Sequence, residues 1–301
     1  MYEGRSMAHP MSRRGIPANL LFAGILSTPA AQHRREIIRK SWLDPLMHGF
    51  SYAFVVGSGG SHSASTIAAL HREQSLRSDV MLLTTTVDRN STACPSTKCP
   101  PAKRWTFTQV GKTFDFFVTV ASTLSQSFLW VAKMDDDVYL LQPNILGELL
   151  PLNRTDGYYG ARCPVSAYGK YPSRGEWFMC GMFYAVTWDV VRLFHRNRAR
   201  LPRFGKEDQV FKQTLAAYKR GCNTYYCGWT RCHDAAGAKA RHGAEATGVG
   251  GSIEREPDLA DIMVHQCKTD ERWHALAAFF KQSNATNTPV RASTASRLSW
   301  C

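Results

Sequence analysis

The sequence predicts an α/β protein with a mostly parallel central sheet. Short apolar runs alternate with helical segments through the first half of the chain, the pattern of strands joined by crossover helices. Three consecutive carboxylates, Asp135, Asp136 and Asp137, follow directly on one such run. In a sheet of this kind ligands bind beyond the carboxyl ends of the strands, so charge placed there is informative.

Residues 20–27, Leu-Leu-Phe-Ala-Gly-Ile-Leu-Ser, are apolar and short. They suit a buried strand, and fall well below the roughly 20 residues that a membrane helix needs. Residues 31–42 carry apolar positions among Arg and Lys and read as a helix. Residues 51–56 form a second strand ending at Gly57-Ser-Gly59-Gly60, whose spacing does not match Gly-x-Gly-x-x-Gly and suits a turn. A helix over 67–76 and a strand over 80–85 complete the alternation. Further on, 110–125 reads as a helix and 128–133, Phe-Leu-Trp-Val-Ala-Lys, as the strand that delivers the aspartates. Residues 181–187 and 262–265 read as strands, and 208–220 and 273–280 as helices. Residues 89–104 and 234–258 are rich in turn-forming, small or charged residues and read as loops. Residues 1–18 and 283–301 read as a disordered lead-in and tail around one domain over 19–282.

The 301 residues are 44% hydrophobic and 20% charged, enough for one large core. The net charge of +13 favours anionic ligands. With no run of five like charges, RNP motif or finger-spaced zinc ligands, nucleic acid is not expected. Nine cysteines and the sequons at Asn90, Asn153 and Asn284 point to disulfides in an oxidising compartment. The spacing Cys222-x4-Cys227-x4-Cys232-His233 is not a standard zinc motif, and disulfides are the expected reading. No signal peptide or membrane span is visible, so membrane attachment is expected only through an anchor not present in this chain.

Three adjacent carboxylates repel one another, and folding them at a buried strand end is costly without compensation. A hard divalent cation compensates them and completes its shell with diphosphate oxygens and water. Taken alone, the run would serve a phosphatase or kinase as well as a sugar transferase.

The surrounding blocks resemble glycosyltransferase family 31, the β-1,3-galactosyltransferase and β-1,3-N-acetylglucosaminyltransferase group. The stretch 128–140, Phe-Leu-Trp-Val-Ala-Lys-Met-Asp-Asp-Asp-Val-Tyr-Leu, is similar to its core motif. Arg34-Arg35-Glu-Ile-Ile-Arg39-Lys-Ser-Trp42, Tyr52-Ala-Phe-Val-Val-Gly57, Glu73 with Asp79-Val80, and Lys112-Thr113 resemble family elements in the family's order. So do Tyr171-Pro172, Cys180-Gly181 with Tyr184-Ala-Val-Thr, and Glu207-Asp208-Gln-Val. The resemblance spans about 19–280.

It implies a GT-A-like, Rossmann-type sandwich that uses Mn(II) or Mg(II) and a nucleotide-sugar. It implies metal coordination by Asp137 and His265, with Asp135, Asp136, Arg35, Arg39 and Lys112 on the donor. Asp208 becomes the base that takes the acceptor hydroxyl's proton, as an inverting transfer requires; a carboxylate opening a helix is also held ionised there. The implied donor is UDP-galactose or UDP-N-acetylglucosamine, the acceptor a glycan or glycoprotein hydroxyl, and the location the Golgi. Phe183, where the family motif has glycine, departs from the pattern and is expected to reshape the sugar or acceptor pocket. The other readings are a catalytically silent UDP- or glycan-binding protein and a metal-dependent phosphohydrolase.

Overall fold

The computed structural model describes residues 15–59, 62–87, 107–124, 127–164, 177–203, 207–218, 223–227, 231–235, 254–284 and 296–298. In chain order the elements are β1 (Leu21–Ser27), α1 (Gln32–Lys40), β2 (Phe50–Gly59), α2 (Ala64–Arg77), β3 (Val80–Val87), α3 (Phe107–Thr123), β4 (Trp130–Asp135), β5 (Tyr139–Leu140) and α4 (Gln142–Leu149). There follow β6 (Gly157–Pro164), β7 (Trp177–Thr187), α5 (Trp188–Arg196), α6 (Glu207–Tyr218), β8 (Asn223–Cys227), β9 (Cys232–Ala235), β10 (Glu254–Arg255), β11 (Met263–His265), α7 (Asp270–Asn284) and β12 (Ser296–Leu298).

The large sheet runs β12-β8-β6-β7-β4-β1-β2-β3. β3, β2, β1 and β4 are parallel; β7 enters antiparallel between β4 and β6, and β6 and β8 are parallel again. The expected mostly parallel α/β sandwich is what the chain forms. β1 is buried along its whole length, and β4 up to Met134, because helices cover both faces. One face packs Ile37 and Ile38 of α1, Ile145 and Leu149 of α4 and Trp273 of α7 against the sheet. The other packs an aromatic cluster from α3, α5 and α6, in which Phe211 lies 4.5 Å from Tyr184 and 5.2 Å from Phe194.

Gly24, in the middle of β1, lets this second face close. A Cβ there would fall against the Phe116 ring, well inside van der Waals contact. Gly24→Ala is therefore expected to lose about 1–3 kcal/mol, read as a lower urea midpoint with an unchanged slope. An unchanged midpoint would mean the α3 packing is looser than described.

A second sheet, β10-β9-β11-β5, sits beside the end of β4. Buried polar pairs fix it: His233 Nε2 lies 3.0 Å from Asp261 Oδ2, both fully buried, and Arg231 is paired with Glu148 and donates from Nε to the Ala260 carbonyl at 2.6 Å.

Several expectations need correction. β12, within the tail read as disordered, pairs antiparallel with β8, giving that edge strand's backbone groups partners. β7 begins at Trp177 rather than 181. Cys227 is bonded to Cys232 and Cys163 to Cys180, which bears out disulfides and removes two thiolates a zinc would need. The sequon at Asn90, Cys222, the Tyr171-Pro172 element, the Cys/Pro segment at 94–101 and residues 236–253 lie outside the described residues. Among the described residues no helix is long and apolar enough to cross a membrane.

Candidate active site

β4 carries Lys133 inside the sheet and Asp135 at its carboxyl end. In register, Leu26 pairs with Asp135, so the end of β1 lies beside the aspartates. β5 follows at once and pairs antiparallel with β11, Tyr139 opposite Val264. That pairing carries His265, more than a hundred residues away in sequence, to Asp137. His265 Nε2 is 3.3 Å from Asp137 Oδ1. One ligand atom from each of Asp135, Asp137 and His265 lies within 4.8 Å of the others. Two carboxylates and an imidazole, partly open to solvent, fit a hard or borderline divalent cation. Asp135, expected on the donor, thus sits with Asp137 and His265, the pair expected to hold the metal.

The local charges differ in state. Burial pushes the Asp136 carboxyl up to about 6, helped by Asp137 and Asp135, against Arg34 and Lys112. Burial acts the same way on Asp137, but the His265 contact and Lys268 outweigh it and hold the group at about 2.

Lys133 joins this trio to a second carboxylate pair. Its ammonium, 1% exposed, donates to Asp135 Oδ1 at 2.7 Å and to the Gly181 carbonyl, and lies 3.4 Å from Glu207 Oε2. Burial disfavours its charge, yet Asp135 and Glu207 more than offset this and raise its pKa. Tyr184 donates its hydroxyl to Glu207 Oε1. Asp208, at the start of α6, accepts from the Gln209 amide at 2.8 Å. Burial, then the Glu207 charge, push Asp208 up to about 7; the helix start does not hold it ionised as expected, and the value suits general-base work near neutrality. Gly181 leaves the space in front of this pair open: a Cβ there would stand 3.4 Å from Glu207 Oε2, 3.7 Å from Lys133 Nζ and 3.8 Å from Asp208 Oδ2.

Other predicted residues fall elsewhere. Arg35 is fully buried, with Nε and Nη2 on Glu73 at 2.9 and 2.5 Å and Nη1 on Ser27 Oγ and the Thr28 carbonyl. Arg39 is spent on Asp79, Glu73 and Glu36 and stacks on Phe54. Both arginines, expected on the donor, instead tie α1 to α2 and β3, because Glu73 and Asp79 are the nearest groups able to neutralise them once buried. Lys112 donates to the Ser27 carbonyl and is felt by Asp136, so it stays beside the site. Phe183 is fully buried in the core, edge-on to Tyr159 at 6.5 Å. Its bulk therefore goes into the core rather than the space before Gly181, correcting the expected distortion of the pocket. Lys133, Tyr184, Arg34 and Lys268 were not anticipated as site residues. A lysine inside an otherwise apolar strand is the signal that finds the first.

No protein-family model and no curated protein matches the chain. Among solved structures it is similar to the galactosyltransferase LgtC in complex with donor and acceptor sugar analogues, at 12% identity and a TM-score of 0.44 over 90% of this chain and 97% of that one. It is also similar to mouse xyloside xylosyltransferase 1 in its apo form, at 13% and 0.42 over 83% and 98%. A third is the inositol-1-phosphate CTP transferase of T. maritima, at 10% and 0.39 over 70% and 86%. At these TM-scores the functional reading rests on the site's own geometry.

Proposed function

We propose that residues 19–282 form a GT-A-type catalytic domain, close to glycosyltransferase family 31, that transfers galactose or N-acetylglucosamine from a UDP-sugar to a glycan or glycoprotein hydroxyl with inversion, in β-1,3 linkage. The observation that carries this reading is the pairing of two carboxylate centres through one buried ammonium. Asp135, Asp137 and His265 are placed so that they could hold a cation, and Lys133 bridges Asp135 and Glu207, the neighbour of Asp208. Inverting sugar transfer uses both, the first for the diphosphate and the second for the acceptor's proton.

In this reading Asp135, Asp137 and His265 would hold Mn(II) or Mg(II), which would neutralise charge on the leaving diphosphate. Asp208 takes the proton of the acceptor hydroxyl as that oxygen attacks the anomeric carbon from the face opposite UDP. Glu207 is fixed by Tyr184 and Lys133, and its charge keeps Asp208 basic. Asp136 and Lys112 border the donor. Holding the two substrates in line supplies much of the acceleration. The two disulfides among the described residues suit an oxidising compartment, and the Golgi lumen is the proposed location.

The test is incubation with Mn(II), UDP-galactose or UDP-N-acetylglucosamine, and a panel of β-linked acceptors, with product linkage read by NMR. A β-1,3 product from either donor is the expected result. Orthophosphate release without sugar transfer would favour the phosphohydrolase, and UDP binding without turnover on any acceptor the silent binder.

A further inference from the structure

β6 and β4 both pair antiparallel with β7, so they run the same way. The carboxyl end of β6 therefore lies on the same side of the sheet as Asp135. Arg162 stands near that end, opposite Met179 of β7. Met179 belongs to the core on the α3, α5 and α6 face. Residues paired across two strands share a face, so Arg162 leaves the sheet on that side. Gly181, two residues on from Met179, opens on the same side, toward Glu207 and Asp208. Arg162 is thus one strand across from the space in front of Asp208.

What holds Arg162 sets it apart from the arginines of the interior. Arg35, Arg39 and Arg231 are each neutralised by a carboxylate. The Arg162 guanidinium is held by rings instead. Its centre lies 3.6 Å from the centroid of the Trp177 ring and 5.5 Å from that of Tyr226. Among the described residues none accepts a hydrogen bond from it. Stacking engages the flat faces of the cation and leaves the N–H donors along its edge unused. Arg162, Trp177 and Tyr226 are all partly exposed. A guanidinium oriented by its faces, with a free edge, is suited to take a carboxylate or another oxyanion in a two-point contact. An acidic ligand next to Glu207 and Asp208 would be repelled by them unless a cation stood nearby, and Arg162 is the cation on that side.

We propose that Arg162 sets acceptor specificity, and that the acceptor is an acidic glycan whose uronic carboxylate or sulfate ester, on the reacting sugar or its neighbour, is bound by the free edge of Arg162. The proposal rests on the sugar-transfer reading above and names its acceptor class. The test uses the full chain with Mn(II), UDP-galactose or UDP-N-acetylglucosamine, and matched acceptors that are neutral, uronic-acid-bearing or sulfated. The unsubstituted protein should prefer one of the acidic acceptors, and which one identifies the acid. Raising the salt concentration should shrink that preference. In Arg162→Met the ratio of kcat/KM for the acidic over the neutral acceptor should fall about tenfold or more. Arg162→Lys, which keeps the charge without the fork, should retain part of the ratio.

Transfer by the unsubstituted protein with no preference for either acidic acceptor overturns this proposal alone. So does an Arg162→Met variant in which kcat/KM falls by the same factor for acidic and neutral acceptors, the result of a purely structural role. If Arg162→Met does not fold, the preference of the unsubstituted protein and its response to salt decide the matter. No transfer to any acceptor from either donor overturns both this proposal and the function it rests on.

Discussion

Asp208→Asn is expected to lower turnover by about 10²–10⁴-fold while leaving UDP and Mn(II) binding intact. The amide keeps the shape and the position at the start of α6 but cannot accept the acceptor's proton. In the unsubstituted protein kcat/KM should rise with pH and level off above about 7, where Asp208 loses its proton. Stability should move the other way. The folded-state value lies above the ordinary carboxylate value of 3.8, so the native state binds more protons than the unfolded chain between about 4 and about 7. Asp208 therefore withdraws stability as pH rises through that window. Asp208→Asn removes this effect and should melt higher than the unsubstituted protein at pH 8. A variant that kept full rate would end the base assignment. A variant inactive but also less stable at pH 8 would mean the carboxylate is tied into the fold, not poised for chemistry.

The other large effect is expected at Lys133. Its ammonium is 1% exposed and faces Asp135, Glu207 and the Gly181 carbonyl. Lys133→Met fills a similar volume but leaves carboxylates without their counter-charge. Removing one partner of a buried ion pair costs about 3–5 kcal/mol, a drop on the order of 10 °C in melting temperature for a domain of this size. The loss should shrink in acid, where the stranded carboxylates take up protons. Calorimetric scans of the variant at pH 5 and pH 8 read this directly. Equal melting temperatures for variant and unsubstituted protein at pH 8 would show that Lys133 does not hold the two centres together.

What sequence reveals here divides by the range of the interactions. β1, β2, β3 and β4 were legible because strands covered on both faces read as apolar runs. Asp135, Asp136 and Asp137 stood out because like charges do not gather at a buried strand end without a reason. His265 and Asp208 came from the family resemblance, and the pairing of β5 with β11 accounts for the arrival of His265. β6 and α4 escaped because glycine and proline break up their patterns. The buried α5 stripe of Val190, Val191 and Phe194 has helical spacing in the sequence. Arg35 and Arg39 lie on Glu73 and Asp79 for a different cause. An arginine's partner is chosen in three dimensions, and Glu73 lies 38 residues from Arg35. The same holds for Lys133, whose meeting with Glu207 depends on β7 and α6 folding over β4.

In the proposed function a cation at Asp135, Asp137 and His265 serves the bound nucleotide. Titration of UDP into the protein with Mn(II), after chelation, and into Asp137→Ala with Mn(II) tests it most directly. Saturable binding in the first case, and its loss in the other two, is the predicted result. Equal UDP binding in all three would contradict it.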